Sequence, residues 1–166
     1  RDFGYLVEAL DNLRFLSLAG TKITNTGLEH IKALKGLREL HLDGTAITND
    51  GLELINGLVD LEVLDLKDTT ITDAGLAHLV PLRNLKGLYL TRTPITDAGL
   101  THVGAFTELR TLILWDTQVT DNGLHHLRSL SNLRELILWN SQVSEHAAEE
   151  LRKALPECDI SMDMFA

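Results

Sequence analysis

Leu61-Glu62-Val63-Leu64-Asp65-Leu66-Lys67-Asp68-Thr69-Thr70-Ile71-Thr72-Asp73-Ala74-Gly75-Leu76-Ala77-His78-Leu79 is one copy of a pattern that returns every 24 residues along the chain. Its first leucine recurs as Leu13, Leu37, Leu85, Leu109 and Leu133, each followed three and five residues later by two more leucines. A hydroxyl residue follows at Thr21, Thr45, Thr69, Thr93, Thr117 and Ser141. Each copy then closes on an Ile-Thr, Val-Thr or Val-Ser pair, from Ile23 and Thr24 to Val143 and Ser144. A strict period of this kind marks a stack of supersecondary units, each able to bury its apolar side only against its neighbours. Roughly three such units suffice for a continuous core, and six are present here. A stack usually works through a long surface and not through a pocket.

Within one unit, the leucines of Leu61 to Leu66 alternate as a short strand with one buried face should. The Thr69 hydroxyl stands where the chain leaves the sheet and can bond the backbone groups left open there. Thr72 and Asp73 read as a helix start, a hydroxyl cap followed by an acid at the positive end of the helix dipole. Gly75 recurs as Gly27, Gly51, Gly99 and Gly123, which is expected if a side chain there would hold the helix away from the sheet. Leu76 and Leu79 point inward, and Leu82 begins the return to the next strand. Each leucine fully buried contributes about 1.5–3 kcal/mol, so the stack gathers a core without any ligand.

The pattern LxxLxLxxTxIT(D/N)xGLxxL resembles the leucine-rich repeat family over roughly residues 10 to 162. It is similar to the variant of F-box-type and many bacterial proteins that carries ITDxGLxxL. It differs in placing Thr or Ser where cysteine-containing relatives have Cys, and in its shorter unit. The resemblance implies an α/β solenoid: a right-handed horseshoe with a parallel β-sheet on the concave face and short helices on the convex face. It assigns residues 1–166 to a single leucine-rich-repeat domain. Residues 1–12 form a partial N-terminal repeat, 13–155 six repeats, and 156–166 a terminal strand and cap. The chain opens at Arg1 without a methionine and reads as a mature form or a fragment of a longer protein.

The ends deviate from the pattern. Residues 2–9 suggest the helical half of an incomplete repeat. In the sixth unit Ala147 replaces the glycine, and Ser144 to Lys153 forms a stronger, longer helix. After Pro156, residues 158–162 fit a last strand with Ile160 and Met162 in leucine positions. Met164 and Phe165 are expected to fold over its open edge. Association of two copies through such an edge is an expectation of the same kind.

The formal net charge is -9, from 24 acidic and 15 basic residues. That balance opposes the basic footprint of a nucleic-acid or anionic-membrane partner. No run approaches the roughly 18 apolar residues of a membrane span. Cys158 is the single cysteine and cannot make an internal disulfide, which suits a reducing, cytoplasmic setting and leaves export open. The chain carries no P-loop, no glycine-rich dinucleotide fingerprint, no G-x-S-x-G and no CxxC.

If the leucines point inward, the residues between them point to the concave side in three columns. The first reads Phe15, Glu39, Val63, Gly87, Thr111, Glu135, Asp159. The second reads Ser17, His41, Asp65, Tyr89, Ile113, Ile137, Ser161, and the third Ala19, Asp43, Lys67, Thr91, Trp115, Trp139, Asp163. Both tryptophans of the chain thus fall on adjacent rungs of one column, beside Tyr89, Ile113 and Ile137. Neighbouring strands lie about 4.8 Å apart, so these five residues should form one apolar patch, with Val63 at its margin. Arg92, Asp116, Asn140, Glu135 and Thr111 would rim it. Tyrosine and tryptophan dominate interface hot spots, although the same residues also favour strands for their packing alone.

Glu39, His41, Asp43 and Asp65 should crowd together on rungs two and three, with Lys67 nearby. Histidine and carboxylates suit a metal or an acid–base pair, but an open sheet excludes no water. A cationic segment of a partner is the better complement. His30, His78, His102 and His126 share one helical position, which repetition of the unit explains. These residues describe a non-enzymatic scaffold for a protein or peptide, with no cofactor, no metal and no catalytic residue. Trp115 and Trp139 serve as anchors, Tyr89, Ile113 and Ile137 as floor, and His41, Asp43 and Asp65 steer a basic portion of the partner. The alternative is a structural or regulatory domain whose same face docks another domain or a second copy.

Overall fold

Alternating leucines form strands and the ITDxGLxxL segments form helices. The structure, a computed structural model, describes Leu10 and residues 12–163. In chain order it runs β1 (Phe15–Ser17), α1 (Asn25–Ile31), β2 (Glu39–His41), α2 (Asn49–Ile55), β3 (Val63–Asp65), α3 (Asp73–His78) and β4 (Gly87–Tyr89). It continues with α4 (Asp97–Val103), β5 (Thr111–Ile113), a 3-10 helix (Asp121–Leu127), β6 (Glu135–Ile137), α5 (Glu145–Ala154) and β7 (Asp159–Ser161). The seven strands pair in sequence order in one open, parallel sheet. The helices stack against one another on the other side, giving the expected leucine-rich-repeat horseshoe. The half-repeat expected over residues 2–9 and the closing role expected of Met164 and Phe165 lie outside the described residues.

Register follows the period without slippage: Leu16, Leu40, Leu64, Leu88, Leu112, Leu136 and Ile160 lie side by side. Apart from the partly buried Leu54, the leucines from Leu37 to Leu114 have no exposed surface, and Phe106 joins them where other units have leucine. The strands are shorter than Leu61 to Leu66 suggests. Strands β1 to β6 each end because a left-handed residue follows two positions after the last leucine: Gly20, Gly44, Asp68, Arg92, Asp116 and Asn140 all have φ between 50° and 64°. The hydroxyls of Thr45, Thr69, Thr93 and Thr117 donate to the carbonyl three residues back, as their position at the sheet exit suggests.

The fifth unit is a 3-10 helix where an α-helix repeats elsewhere. Asn122 and Gly123 have weak helix propensity. The His125 ring also hydrogen-bonds the Asn122 carbonyl, which an α-helical amide from residue 126 would use. In α5, by contrast, Ala147, Ala148, Leu151 and Ala154 favour a full helix, and Arg152 donates to the Ile160 carbonyl on the outer edge of β7 at 3.0 Å. That contact occupies one open acceptor of the terminal strand.

The acid at the helix start does more than complement a dipole. Asp97 Oδ1 accepts from the Thr120 backbone N–H of the next rung at 2.7 Å, while the Thr120 hydroxyl donates to Asp97 Oδ2 at 2.6 Å. Asp73 does the same to Thr96, and Asp121 to Ser144. In the first two junctions the bridging residue is asparagine. Asn25 and Asn49 accept the backbone N–H of Thr48 and Thr72 at 3.0 Å and donate an amide N–H to the hydroxyl.

This difference decides capping. A hydroxyl that gives its proton to a carboxylate keeps its lone pairs for the helix, so Thr96, Thr120 and Ser144 accept from Ala98, Asn122 and Ala147. Thr48 and Thr72, already accepting from asparagine, make no side-chain cap. The cap read at Thr72 is therefore corrected: its hydroxyl serves the rung before.

The recurrent glycine has the same cause. A Cβ on Gly75, Gly99 or Gly123 would lie 2.5 Å from the bridging oxygen of Asn49, Asp73 or Asp97. The obstacle is the neighbouring rung's side chain and not the sheet. Ala147 is accommodated where the preceding Ser144 backbone turns differently, at φ -83° and ψ 153° against -120° and -174° at Thr96.

Three substitutions separate these effects, read as urea midpoints at neutral pH. Asp97→Asn should keep the bridge and weaken the Thr120 cap, costing about 0.5–1 kcal/mol. Asp97→Ala should also strand the Thr120 N–H and cost about 1–3 kcal/mol. Gly99→Ala should cost about 1–3 kcal/mol by displacing Asp73. Equal midpoints for Asp97→Asn and Asp97→Ala would contradict the bridge.

Candidate functional site

The middle concave column is in register across the sheet: His41 beside Asp65, then Tyr89, Ile113, Ile137 and Ser161. Trp115 and Trp139, two residues after Ile113 and Ile137, meet edge to face with ring centroids 5.7 Å apart. Such a pair adds about 0.5–1.5 kcal/mol beyond area burial. Tyr89, Ile113, Ile137 and both tryptophans are half-buried, so each shelters its neighbours. Val63 is half-buried on the adjoining rung. Its methyls and the Tyr89 ring both approach Gly87, whose missing side chain leaves room for the phenol to lie down.

The two tryptophans are held differently. Trp139 Nε1 donates to Ser161 Oγ at 2.8 Å. Trp115 has no such acceptor among the described residues, and carries the Arg92 guanidinium 5.5 Å from its ring centroid. Arg92 in turn grips Asp68 through Nε and Nη2 at 2.5 and 2.6 Å, a fork matched to a carboxylate. The Arg92 hydrogen bond and charge hold the Asp68 carboxyl below its usual range. Beyond them, Asn140 donates to Asp116 at 2.7 Å. Burial, followed by the charges of Glu135, Asp65 and Glu39, raises the Tyr89 phenol.

Rungs two and three gather the expected polar group. His41 Nε2 lies 2.7 Å from Glu39 Oε1, and its Nδ1 lies 3.6 Å from Asp65 Oδ2. Asp65 is buried at 3 % exposure, yet Lys67 answers it twice, through Nζ and through its backbone N–H, each at 3.0 Å. The Asp65 hydrogen bond raises the Lys67 ammonium, against the opposing effect of its partial burial. His41, Asp43 and Asp65 present ligand atoms within 4.8 Å of one another. Lys67 already supplies the positive charge at Asp65, so a metal ion would have to displace it.

Several partners of these residues were not visible in the sequence. Phe15 lies tilted against His41 with ring centroids 5.3 Å apart, Ser161 fixes Trp139, and Asp68 fixes Arg92. The signal available was position: Asp68 and Arg92 occupy the same place in adjacent units, and Gly87 interrupts a column of larger residues. On the helical side, burial and then His125 lower the His126 imidazole. Cys158 is buried and its thiol is pushed up to about 11, chiefly by desolvation, so little nucleophilic thiolate exists at neutral pH. No helix among the described residues is long and apolar enough to cross a membrane.

The Asp68–Arg92–Trp115 chain should be sensitive to acid. Because the Asp68 carboxyl titrates below its ordinary value, the contact is complete above the usual carboxylate range and is lost as pH falls through the lowered value. Tryptophan emission should therefore change with a midpoint below about 3.9 while the circular dichroism is still folded, and Asp68→Asn should remove that step. An identical titration in Asp68→Asn would refute the assignment.

Comparison with known proteins agrees with this geometry. The family described as a leucine-rich repeat region matches residues 5–162. No curated protein matches. Among solved structures, internalin C2 of Listeria monocytogenes is similar at TM-score 0.58 and 22% identity, over 95% of this chain and 84% of that one. A second internalin of that organism reaches 0.54 at 18% identity, over 94% and 55%. A leucine-rich-repeat protein of Leptospira interrogans reaches 0.62 at 20%, over 94% and 51%. The chain thus spans about half the length of the last two. At these identities the solved structures establish the fold alone. The repeat pattern, its in-register sheet and the family match together place the chain in the leucine-rich repeat family.

Proposed function

We propose that this chain is a non-enzymatic scaffold that holds a protein or peptide partner in its concave face. The observation that carries this reading is the tryptophan pair. The leucine core is closed without it, with Leu112, Leu114 and Leu136 wholly buried beneath. The rings instead stand on the open side of the sheet, edge to face, with the Trp115 indole N–H lacking an acceptor among the described residues. Large aromatic area with an unused donor, beside Tyr89, Ile113 and Ile137, suits the centre of an interface.

Trp115 and Trp139 are the anchors in this reading, and Val63, Tyr89, Ile113 and Ile137 form the floor. Arg92 orients Trp115. In the polar cluster Glu39 faces His41 and Lys67 faces Asp65, which leaves the half-buried Asp43 as the carboxylate most open to a basic portion of the partner. Docking of a second copy on the same face is the competing occupancy, and the same variants separate it.

The test is capture from an extract of the source cells, wild type beside the double variant Trp115→Ala/Trp139→Ala, with solution mass measured for both. The double variant should lose the partner while its circular dichroism and melting stay close to wild type. Equal capture by both would remove the tryptophans from the site. A wild-type mass that rises with concentration and falls in the variant would replace the foreign partner with a second copy.

A further inference from the structure

We infer that the occupant of the concave face is an extended, basic peptide segment, with two or three apolar residues on the tryptophans and lysine or arginine on either side. This rests on the scaffold reading above and deepens it. The argument is the charge that the face leaves unanswered. Its own cations are spent: Lys67 on Asp65 at 3.0 Å, and Arg92 on Asp68 at 2.5 and 2.6 Å. Around the tryptophans, Glu135, Asp159, Asp116 and Asp163 are exposed carboxylates with no ion pair among the described residues. Asp43, half-buried and likewise without an ion pair among the described residues, stands at the opposite end, two rungs before Tyr89. Two further cations stand at the lip, one residue before their strands. Arg134 is folded onto the Ser131 and Leu133 carbonyls at 2.9 Å, and Arg110 flanks Thr111.

Spacing sets the length of the segment. Rungs about 4.8 Å apart place the apolar floor, from Tyr89 to Ile137, across about 10 Å, which about three extended residues span. From the rung of Asp43 to that of Asp159 and Asp163 is five such steps, about 24 Å, or about seven extended residues. A segment lying along the stack therefore meets carboxylates, then aromatic and aliphatic surface, then carboxylates again. The Trp115 indole N–H and the Tyr89 hydroxyl, neither with a partner among the described residues, are free to meet the backbone of such a segment.

Random linear peptides displayed on phage provide the test, selected on the purified chain and then titrated in solution. Both tryptophans of the chain lie in the site, so their emission reads occupancy directly. Selected peptides should be basic, with apolar residues flanked by lysine or arginine, and should weaken as salt is raised. The variant Glu135→Lys/Asp159→Lys, altered only at exposed positions, should bind them about tenfold more weakly. Selected peptides without positive charge that still require Trp115 and Trp139 would overturn the basic segment and leave the scaffold standing. Enrichment equal to that on the Trp115→Ala/Trp139→Ala chain, or no enrichment on either, would overturn both. Should the lysine variant fail to fold, the salt dependence of wild-type binding decides, and its absence counts against the inference.

Discussion

One side chain per turn, the asparagine or aspartate that opens each of the first five convex helices, ties its rung to the next. Its oxygen takes the backbone N–H of the following Thr or Ser at 2.6–3.0 Å, a donor that no strand or helix would otherwise satisfy. The bond exists only if the next unit arrives at the same height and orientation. It therefore enforces the period more sharply than leucine packing, which tolerates changes of shape at modest cost. The glycines three residues after Thr48, Thr72, Thr96 and Thr120 follow, since the bridging oxygen occupies the space of the Cβ. Because the strands cannot then slip, the concave residues stand in straight columns.

The change from asparagine to aspartate along the stack has a consequence at every later junction. Asparagine gives its proton to the hydroxyl and leaves the helix start without a side-chain cap. Aspartate takes the hydroxyl's proton and frees the oxygen for the helix. One atom's hydrogen-bond polarity thus reaches across a rung to alter a helix terminus. The later junctions gain a cap, and at Asp121 the Ser144 backbone N–H holds the carboxyl below its usual range.

Periodicity made the sheet, its register and the identity of the concave columns legible, because those depend on which residues alternate. The long last helix was legible from its alanines and charges. What escaped were contacts between side chains 23 or 24 residues apart. Asp73 looked like a local helix-dipole partner and Thr72 like a local cap, although each serves an adjoining rung. Arg92 was read as a rim residue of the patch, and its ion pair with Asp68 one period away went unseen. The 3-10 helix at Asp121–Leu127 was hidden for a related reason, since a histidine ring competes there for a backbone acceptor. In a stack, the nearest neighbour in space is one period away in sequence, so rules written for local spacing misassign polar residues more than apolar ones.

The tryptophans stand apart from this scaffolding, and the way they are held bears on binding. A large side chain on an open face usually samples several rotamers, and fixing it on association costs about 0.5–1.5 kcal/mol. Here Ser161 holds Trp139 through its indole nitrogen, Trp139 meets Trp115 edge to face, and the Arg92 guanidinium lies against Trp115. Arg92 takes a left-handed backbone conformation that favours glycine, and Gly20 and Gly44 occupy the equivalent place in the first two units. Glycine there would relax the turn and release both Asp68 and the ring. The chain accepts local strain at this rung together with an arrangement that presents two aromatic faces in one orientation. Core stability does not require that arrangement, because the leucines below are already closed. Pre-ordering of a surface is useful when something else has to settle on it.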